Sequence, residues 1–362
     1  MIRWSIGNGS SSIAWKTEGS SPDARLLASI IASEYILAVK VLVTGGAGYI
    51  GSVTTRLLLK AGHDVVVLDN LSHGHRAAVP PPARLVVGDV GDASLLDRLL
   101  ATGGFDCVMH FAGLIRVPES VEKPDVYFEN NVGHGLVLLG AVWKHNIRRV
   151  VFSSSAAVYG SPERVPVTED APLVPTSPYG DTKRIFEELL ASYERACCLR
   201  YAALRYFNVA GAYDGLGEDH RPETHLIPLI LKAAMRPGCE FQIYGDDYPT
   251  RDGTCVRDYI HVHDLARAHL LAMDALKDRS VVYNLGSQHG YTNKEVFAAA
   301  EKVTGTRICV EVVGRRAGDP SELVASSERI RKELGWQPQH DLEQMIADAW
   351  QWHRAHPHGY AD

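Results

Sequence analysis

From Lys40 onward, short apolar runs alternate with longer stretches in which apolar residues recur every third or fourth position. Lys40-Val41-Leu42-Val43-Thr44 is continuously apolar at its centre, which predicts a strand covered on both faces. A periodic stretch from Ser52 to Lys60 predicts a helix, and Asp64-Val65-Val66-Val67-Leu68 predicts a second buried strand. Further strands are predicted at Arg84 to Val87, Cys107 to Phe111 and Arg149 to Ser153, with helical stretches between them. Strand and helix in alternation build an α/β fold with a doubly wound parallel sheet. Thr182 to Ala196 is amphipathic, with one face for the core and another left free.

The turn after the first strand, Gly45-Gly46-Ala47-Gly48-Tyr49-Ile50-Gly51, spaces its glycines as GxxGxxG. Such spacing allows a tight turn, close approach of backbone to a pyrophosphate, and helix-to-strand contact without a Cβ. Alone the motif is weak. Here the second strand ends in Asp69, whose carboxylate is placed to accept hydrogen bonds from an adenosine ribose and to repel a 2′-phosphate. The pair predicts a Rossmann-type domain that binds NAD rather than NADP, although Arg76 nearby argues the other way. Asp89-Val90 and Phe111-Ala112-Gly113 fall at strand ends, where open α/β sheets bind ligands.

Ser153-Ser154-Ser155-Ala156-Ala157-Val158-Tyr159-Gly160 is followed by Tyr179-Gly180-Asp181-Thr182-Lys183. Tyr179 and Lys183, four apart, share a helix face, so the ammonium is placed to stabilise phenolate. With Ser155 they form a hydride-transfer site: the phenol takes a proton from a sugar hydroxyl while a nicotinamide takes the hydride from the same carbon. A lone YxxxK would read as an ordinary surface helix; the preceding fingerprint tips the balance.

The chain has 362 residues, enough for a nucleotide domain and a smaller second lobe. Its net charge of −6 comes without a basic stripe, which argues against nucleic acid as a partner. Cys107, Cys197, Cys198, Cys239, Cys255 and Cys309 form no CxxC pair and suit a reducing, cytoplasmic setting. No apolar run reaches the roughly 20 residues of a membrane span. His261-Val262-His263-Asp264 and the tail histidines His353, His356 and His358 lack recognised ligand spacing, so no metal is expected. Residues 1–39 differ in kind: Ser5 to Asp23 is rich in Ser and Gly, and Leu26 to Val39 is apolar but interrupted by Glu34. They read as an N-terminal extension rather than a signal peptide, for want of a small-residue cleavage site, and deleting 1–38 is expected to leave activity intact.

The blocks GGAGYIGS, LDNL, HFAGL, SSSAAVYG, SPYGDTK, RYFNVAGA and GDDYPTRDGTCVRDYIHV, in order from about Lys40 to the C-terminus, resemble the UDP-glucose 4-epimerases, extended short-chain dehydrogenase/reductases. The resemblance implies a reversible 4-epimerisation of UDP-glucose and UDP-galactose through a 4-keto intermediate, with NAD bound throughout. It implies a cofactor shell of Gly45, Gly48, Tyr49, Ile50, Gly51, Asp69, Asn70, Asp89, Val90, Phe111, Ala112, Gly113, Asn130, Ser155, Tyr179, Lys183 and Phe207. It assigns Asn208, Leu226, Tyr244, Arg257, Arg316 and Leu323, with Ser155 and Tyr179, to the UDP-hexose, the two arginines on the diphosphate. From the residues alone, Arg257 reads equally as an ion-pair partner of Asp258 or Asp252, and Arg316 as a solvated charge. The domains implied are 40–207 for NAD, with returns near 256–286 (Val256 to Ala275 and Val281 to Gly286), and mainly 208–362 for the UDP-sugar. A homodimer through helices near Asn130 and Tyr179 is also implied.

Several positions depart from the family pattern. Ile115 stands where some members carry Lys, Gly133-His134-Gly135 lowers helix propensity beside the cofactor, and Asp181 adds a carboxylate expected to point away from Tyr179 and Lys183. Leu323 occupies a gate position where larger aromatics restrict the sugar, leaving room for a 2-acetamido group and for UDP-GlcNAc or UDP-GalNAc as secondary substrates. Ala156 and Ala157 replace the Asp-Glu pair of nucleotide-sugar dehydratases, so elimination lacks its proton shuttle. UDP-xylose or UDP-glucuronate 4-epimerases share the same machinery and stay open, as does, more remotely, a non-catalytic NAD-binding protein on the same scaffold.

Overall fold

The computed structural model describes residues 38–236, 240–315 and 320–361. The N-terminal extension up to residue 37, Cys239 and Arg316 lie outside them. Val39 already belongs to the body of the molecule, its carbonyl accepting the Asp64 amide at 3.1 Å.

In chain order the elements that position the site are β1 (Lys40–Thr44), α1 (Tyr49–Lys60), β2 (Asp64–Asp69), β3 (Arg84–Val87), α2 (Ala93–Gly103) and β4 (Cys107–His110). They continue with α3 (Val117–Glu122), α4 (Pro124–Phe128), a π-helical turn Glu129–His134, α5 (Gly135–Lys144), β5 (Arg149–Ser155), α6 (Pro178–Cys197) and β6 (Arg200–Tyr206). The remainder comprises β7 (Asn208–Ala210), α7 (Leu226–Ala234), β8 (Glu240–Tyr244), β9 (Val256–His261), α8 (Val262–Ala275) and β10 (Val281–Leu285). After these come β11 (Gly290–Thr292), α9 (Asn293–Thr304), β12 (Cys309–Val313), β13 (Glu322–Leu323), α10 (Glu328–Leu334) and α11 (Leu342–Ala355).

Seven parallel strands form the main sheet in the order β3-β2-β1-β4-β5-β6-β10. Alternate residues of β1 enter different cores: Val41 and Val43 pack with α1 and α8, whereas Leu42 packs with α2, α5 and α6. Both faces are therefore covered, which is why the central strands read as continuous apolar runs. The order reverses between β1 and β4, so the carboxyl ends of these two strands part and leave a crevice.

Of the stretch expected to rejoin the large domain, α8 packs on α1 and β10 supplies the seventh strand, while β9 joins a smaller sheet with β7, β11 and β13. A third core, built from Ile227, Ile230, Val296, Phe297, Met345 and Ile346, holds α7, α9 and α11 together. No helix among the described residues is long and apolar enough to cross a membrane.

Two local features differ from the sequence expectation. Helix α6 starts at Pro178, four residues before the amphipathic pattern begins, because Ser177 caps it through the Gly180 amide and Pro178 fits the first turn. The Gly133-His134-Gly135 departure does not break its helix but winds it as a π turn. A Cβ on Gly135 would lie 2.4 Å from the Phe186 ring, so the glycine permits close packing of α5 on α6.

Candidate functional site

A cavity of about 590 Å³ opens where β1 and β4 part and continues under the β7–α7 loop. Its first wall is the glycine turn. Gly45 has φ of +71°, and a Cβ there would sit 2.5 Å from the Ala112 amide nitrogen. On Gly51 a Cβ would sit 2.3 Å from the Gly45 carbonyl oxygen. Gly48 caps α1 without a side chain, so no protein group satisfies the first-turn amides at this wall by side-chain capping. Asp69 braces the turn, accepting from Ala47 N at 2.9 Å and Leu71 N at 2.8 Å. Burial raises its carboxyl above the usual range despite these bonds.

Asn70 and Asp89 meet along the next stretch of wall, the Asn70 Nδ2 donating at 2.7 Å. Asp89 also accepts from Gly91 N at 2.7 Å and faces His134 Nδ1 at 2.9 Å. His134 thus gives the departure at 133–135 a structural role. Val90, Phe111, Ala112, Gly113, Ile115 and Asn130 line the same cavity. Tyr49 lines it too, but its hydroxyl is turned away, donating to Gly211 O at 2.6 Å.

The residues expected to carry the chemistry gather at the close of β5. Ser155 and Tyr179 line the cavity with Phe207, Asn208, Leu226, Arg257 and Leu323. Tyr179, in the first turn of α6, is hydrogen-bonded to Ser155; burial raises its phenol above the ordinary tyrosine range, and the Ser155 bond opposes that rise. Lys183 stands behind the wall, 3% exposed, its Nζ 5.7 Å from the Tyr179 ring centre and 2.9 Å from Ser153 O. Burial lowers its ammonium to about 8, with Glu187 acting in the opposite sense. The shared helix face read from the sequence is present; the ammonium bonds backbone, and burial governs the phenol. Asp181 pairs with Arg184 at 3.8 Å.

Tyr244 ends β8 and is not among the residues lining this cavity. The carboxylate of Asp258, offered above as an ion-pair partner for Arg257, accepts instead from Ser287, Gln288 and Ala325 amides. Asn131 was not singled out by sequence reasoning. Its amide clamps the loop after β4, with Leu114 N and O at 2.8 and 3.0 Å and Thr182 Oγ1 at 3.1 Å. Two adjacent asparagines gave no means of telling the one that lines the cavity from the one that holds its wall. Glu218, His220 and His225 also line the cavity; the sequence reading did not single out the run that carries them.

Residues 41–286 match the NAD dependent epimerase/dehydratase family. A UDP-glucose 4-epimerase of Lactobacillus helveticus is 52% identical over 329 residues, covering 90% of this chain and all of that protein. The crystal structure of a Brucella ovis UDP-glucose 4-epimerase in complex with NAD superposes with a TM-score of 0.84 at 45% identity, covering 87% of this chain and 98% of that one. The Bifidobacterium longum UDP-glucose 4-epimerase, in complex with NAD+ and UDP, gives 0.85 at 42% identity, covering 89% and 100%.

Proposed function

The chain belongs to the NAD dependent epimerase/dehydratase family, and on that premise we propose that it interconverts UDP-glucose and UDP-galactose by 4-epimerisation with NAD held in the cavity. The observation that carries this reading is one continuous cavity that joins the glycine turn to Ser155, Tyr179 and the residues assigned to the nucleotide sugar.

The chain's residues fit a dinucleotide. The turn leaves no room for a Cβ at Gly45 or Gly51 and ends in a helix with no side-chain cap, as close approach of a pyrophosphate requires. Asp69 suits a ribose without a 2′-phosphate. NAD held there would supply the hydride acceptor for sugar C4 and the donor for its return.

Proton movement falls to Tyr179, which accepts the 4-hydroxyl proton and later gives it back, with Ser155 holding the phenol in place. Burial favours the neutral phenol, so this role depends on positive charge gathered around it. Lys183 is the chain's own share of that charge. A 4-ketose must then present its other face to the same site, so the hexose turns while the UDP end stays anchored. Asn208, Leu226 and Arg257 line the cavity, which supports that anchoring role, and Arg316 and Tyr244 are assigned to it by family likeness alone. Ala156 and Ala157 line the cavity without a carboxylate, which leaves reduction as the ketose's outlet. Leu323 on the wall supports a secondary activity on UDP-N-acetylhexosamines.

A homodimer is supported by apolar side chains that stay exposed on α3, α4 and α5: Val117, Val121, Val126, Leu136 and Trp143. The free thiols of Cys107, Cys197, Cys198 and Cys309 support a cytoplasmic setting. Incubating pure protein with UDP-galactose and resolving the products tests the main reading. UDP-glucose is expected; turnover of UDP-xylose or UDP-glucuronate alone would overturn the substrate assignment, and no turnover of any would leave a binder.

A further inference from the structure

Between β7 and α7 runs Glu218-Asp219-His220-Arg221-Pro222-Glu223-Thr224-His225, and the fold ties two carboxylates and two imidazoles of this run into one knot. Glu218 Oε1 lies 3.1 Å from His220 Nδ1 and 2.7 Å from His225 Nδ1. Glu223 Oε1 lies 3.3 Å from His225 Nδ1, and Glu223 Oε2 lies 3.9 Å from His220 Nδ1. One donor atom from each of the four residues falls within 4.8 Å of all the others. A tetrahedral zinc ion with bonds of about 2.0–2.1 Å sets its ligand atoms about 3.3–3.4 Å apart. The observed separations bracket that edge.

The second observation concerns burial. The Glu218 and Glu223 side chains are 5% and 4% exposed. Glu223 Oε1 accepts the Thr224 and His225 amides at 2.8 and 2.9 Å, but Oε2, turned toward His220, is buried without a hydrogen-bond partner. A buried carboxylate oxygen left so is costly unless a cation meets it. In the other cluster of ligand-type side chains among the described residues, His263, Asp264 and His340, the carboxylate is committed, Asp264 Oδ2 accepting from Gln339 N, His340 N and His340 Nδ1, while both ring nitrogens of His263 are buried without a hydrogen-bond partner. Three residues with one committed carboxylate make a poorer ligand set than four.

We propose that Glu218, His220, Glu223 and His225 form a binding site for a divalent cation of the zinc type on the rim of the cavity. This runs against the expectation, drawn from the histidine runs near 261 and in the tail, that the chain binds no metal. Two carboxylates, two neutral imidazoles and a divalent ion sum to zero charge, so the occupied site would place no net charge on the cavity wall. The mixed N/O set and four-fold count suit Zn2+ or Co2+; Mg2+ and Ca2+ demand six or more oxygens. His225 is the residue before α7, so the ion would fix the loop to the helix whose first residue, Leu226, lines the cavity. Its effect on turnover would fall on KM for the UDP-sugar more than on kcat.

The test uses the full, untagged chain, stripped by a chelator and titrated with Zn2+ by calorimetry and with Co2+ by visible absorption. One equivalent of Zn2+ per chain and an intense tetrahedral cobalt band are expected. Glu223→Gln and His220→Gln should each weaken Zn2+ binding by about 100-fold or more and abolish that band, with far-ultraviolet circular dichroism unchanged. A weak octahedral cobalt spectrum in the parent protein, or equal zinc affinity in parent and variants, would overturn the proposal. The parent spectrum decides the matter even if a variant fails to fold.

Discussion

Lys183 Nζ donates its hydrogen bond to the carbonyl oxygen of Ser153, at 2.9 Å, from the helical turn that follows Tyr179. The ammonium is thereby pinned between β5 and α6 with little water, and its value falls to about 8 from 10.5. A folded value below the unfolded one means that, between these pH values, the unfolded chain holds the extra proton. Stability therefore rises with pH across that window, by about 3 kcal/mol on the scale of 1.36 kcal/mol per unit. Urea unfolding of the parent and of Lys183→Met should show the parent gaining on the variant from pH 8 to 10.5. Parallel curves would refute it.

Tyr179→Phe keeps the ring in the wall and removes the hydroxyl proposed as proton carrier. Turnover is expected to fall by about 10²–10⁴-fold while UDP affinity, measured by calorimetry, stays within about twofold. Near-parental rates would remove Tyr179 from the acid/base role.

Gly51→Ala sets a methyl 2.3 Å from the Gly45 carbonyl oxygen and 2.8 Å from Gly46 Cα. Both neighbours are backbone, so the turn itself must open. The purified variant is expected to carry no dinucleotide and to unfold at lower temperature than the parent, by differential scanning calorimetry and by the nucleotide content of denatured protein.

Arg205 Nη2 and Glu187 Oε2 pair at 2.5 Å, 6% and 8% exposed, beneath the strand end that carries Ser155. Glu187 also accepts from Ser154 Oγ at 2.5 Å, and Arg205 also donates to Tyr159 Oη at 2.8 Å. Glu187→Ala strands a buried guanidinium and should cost about 3–5 kcal/mol in urea unfolding. Adding Arg205→Met should restore part of that loss. Strictly additive losses would show that the pair is not coupled.

Leu323 lines the cavity from β13, paired in register with Arg257 of β9. Leu323→Tyr is expected to lower kcat/KM for UDP-GalNAc by about tenfold or more while sparing UDP-galactose. An equal effect on both substrates would show that residue 323 does not gate the 2-substituent.

The main sheet was legible because each central strand is covered on both faces and so needs an unbroken apolar run, as in Val41 to Val43 and Val65 to Leu68. The glycine turn and Asp69 were legible because backbone geometry and charge fix those residue types locally. The Tyr179–Lys183 spacing was legible because one helix carries both. What the phenol feels was decided only in three dimensions, since Ser155 of β5 and Tyr206 of β6 come to it from other parts of the chain. The same holds for Asn131, whose three bonds reach 17 and 51 residues along the chain. Local pattern specifies the element in which a residue sits; desolvation and convergence of distant groups are properties of the packed whole. That is why Glu218, His220, Glu223 and His225, which the sequence pattern did not mark out, bring four donor atoms within 4.8 Å of one another once the chain has folded.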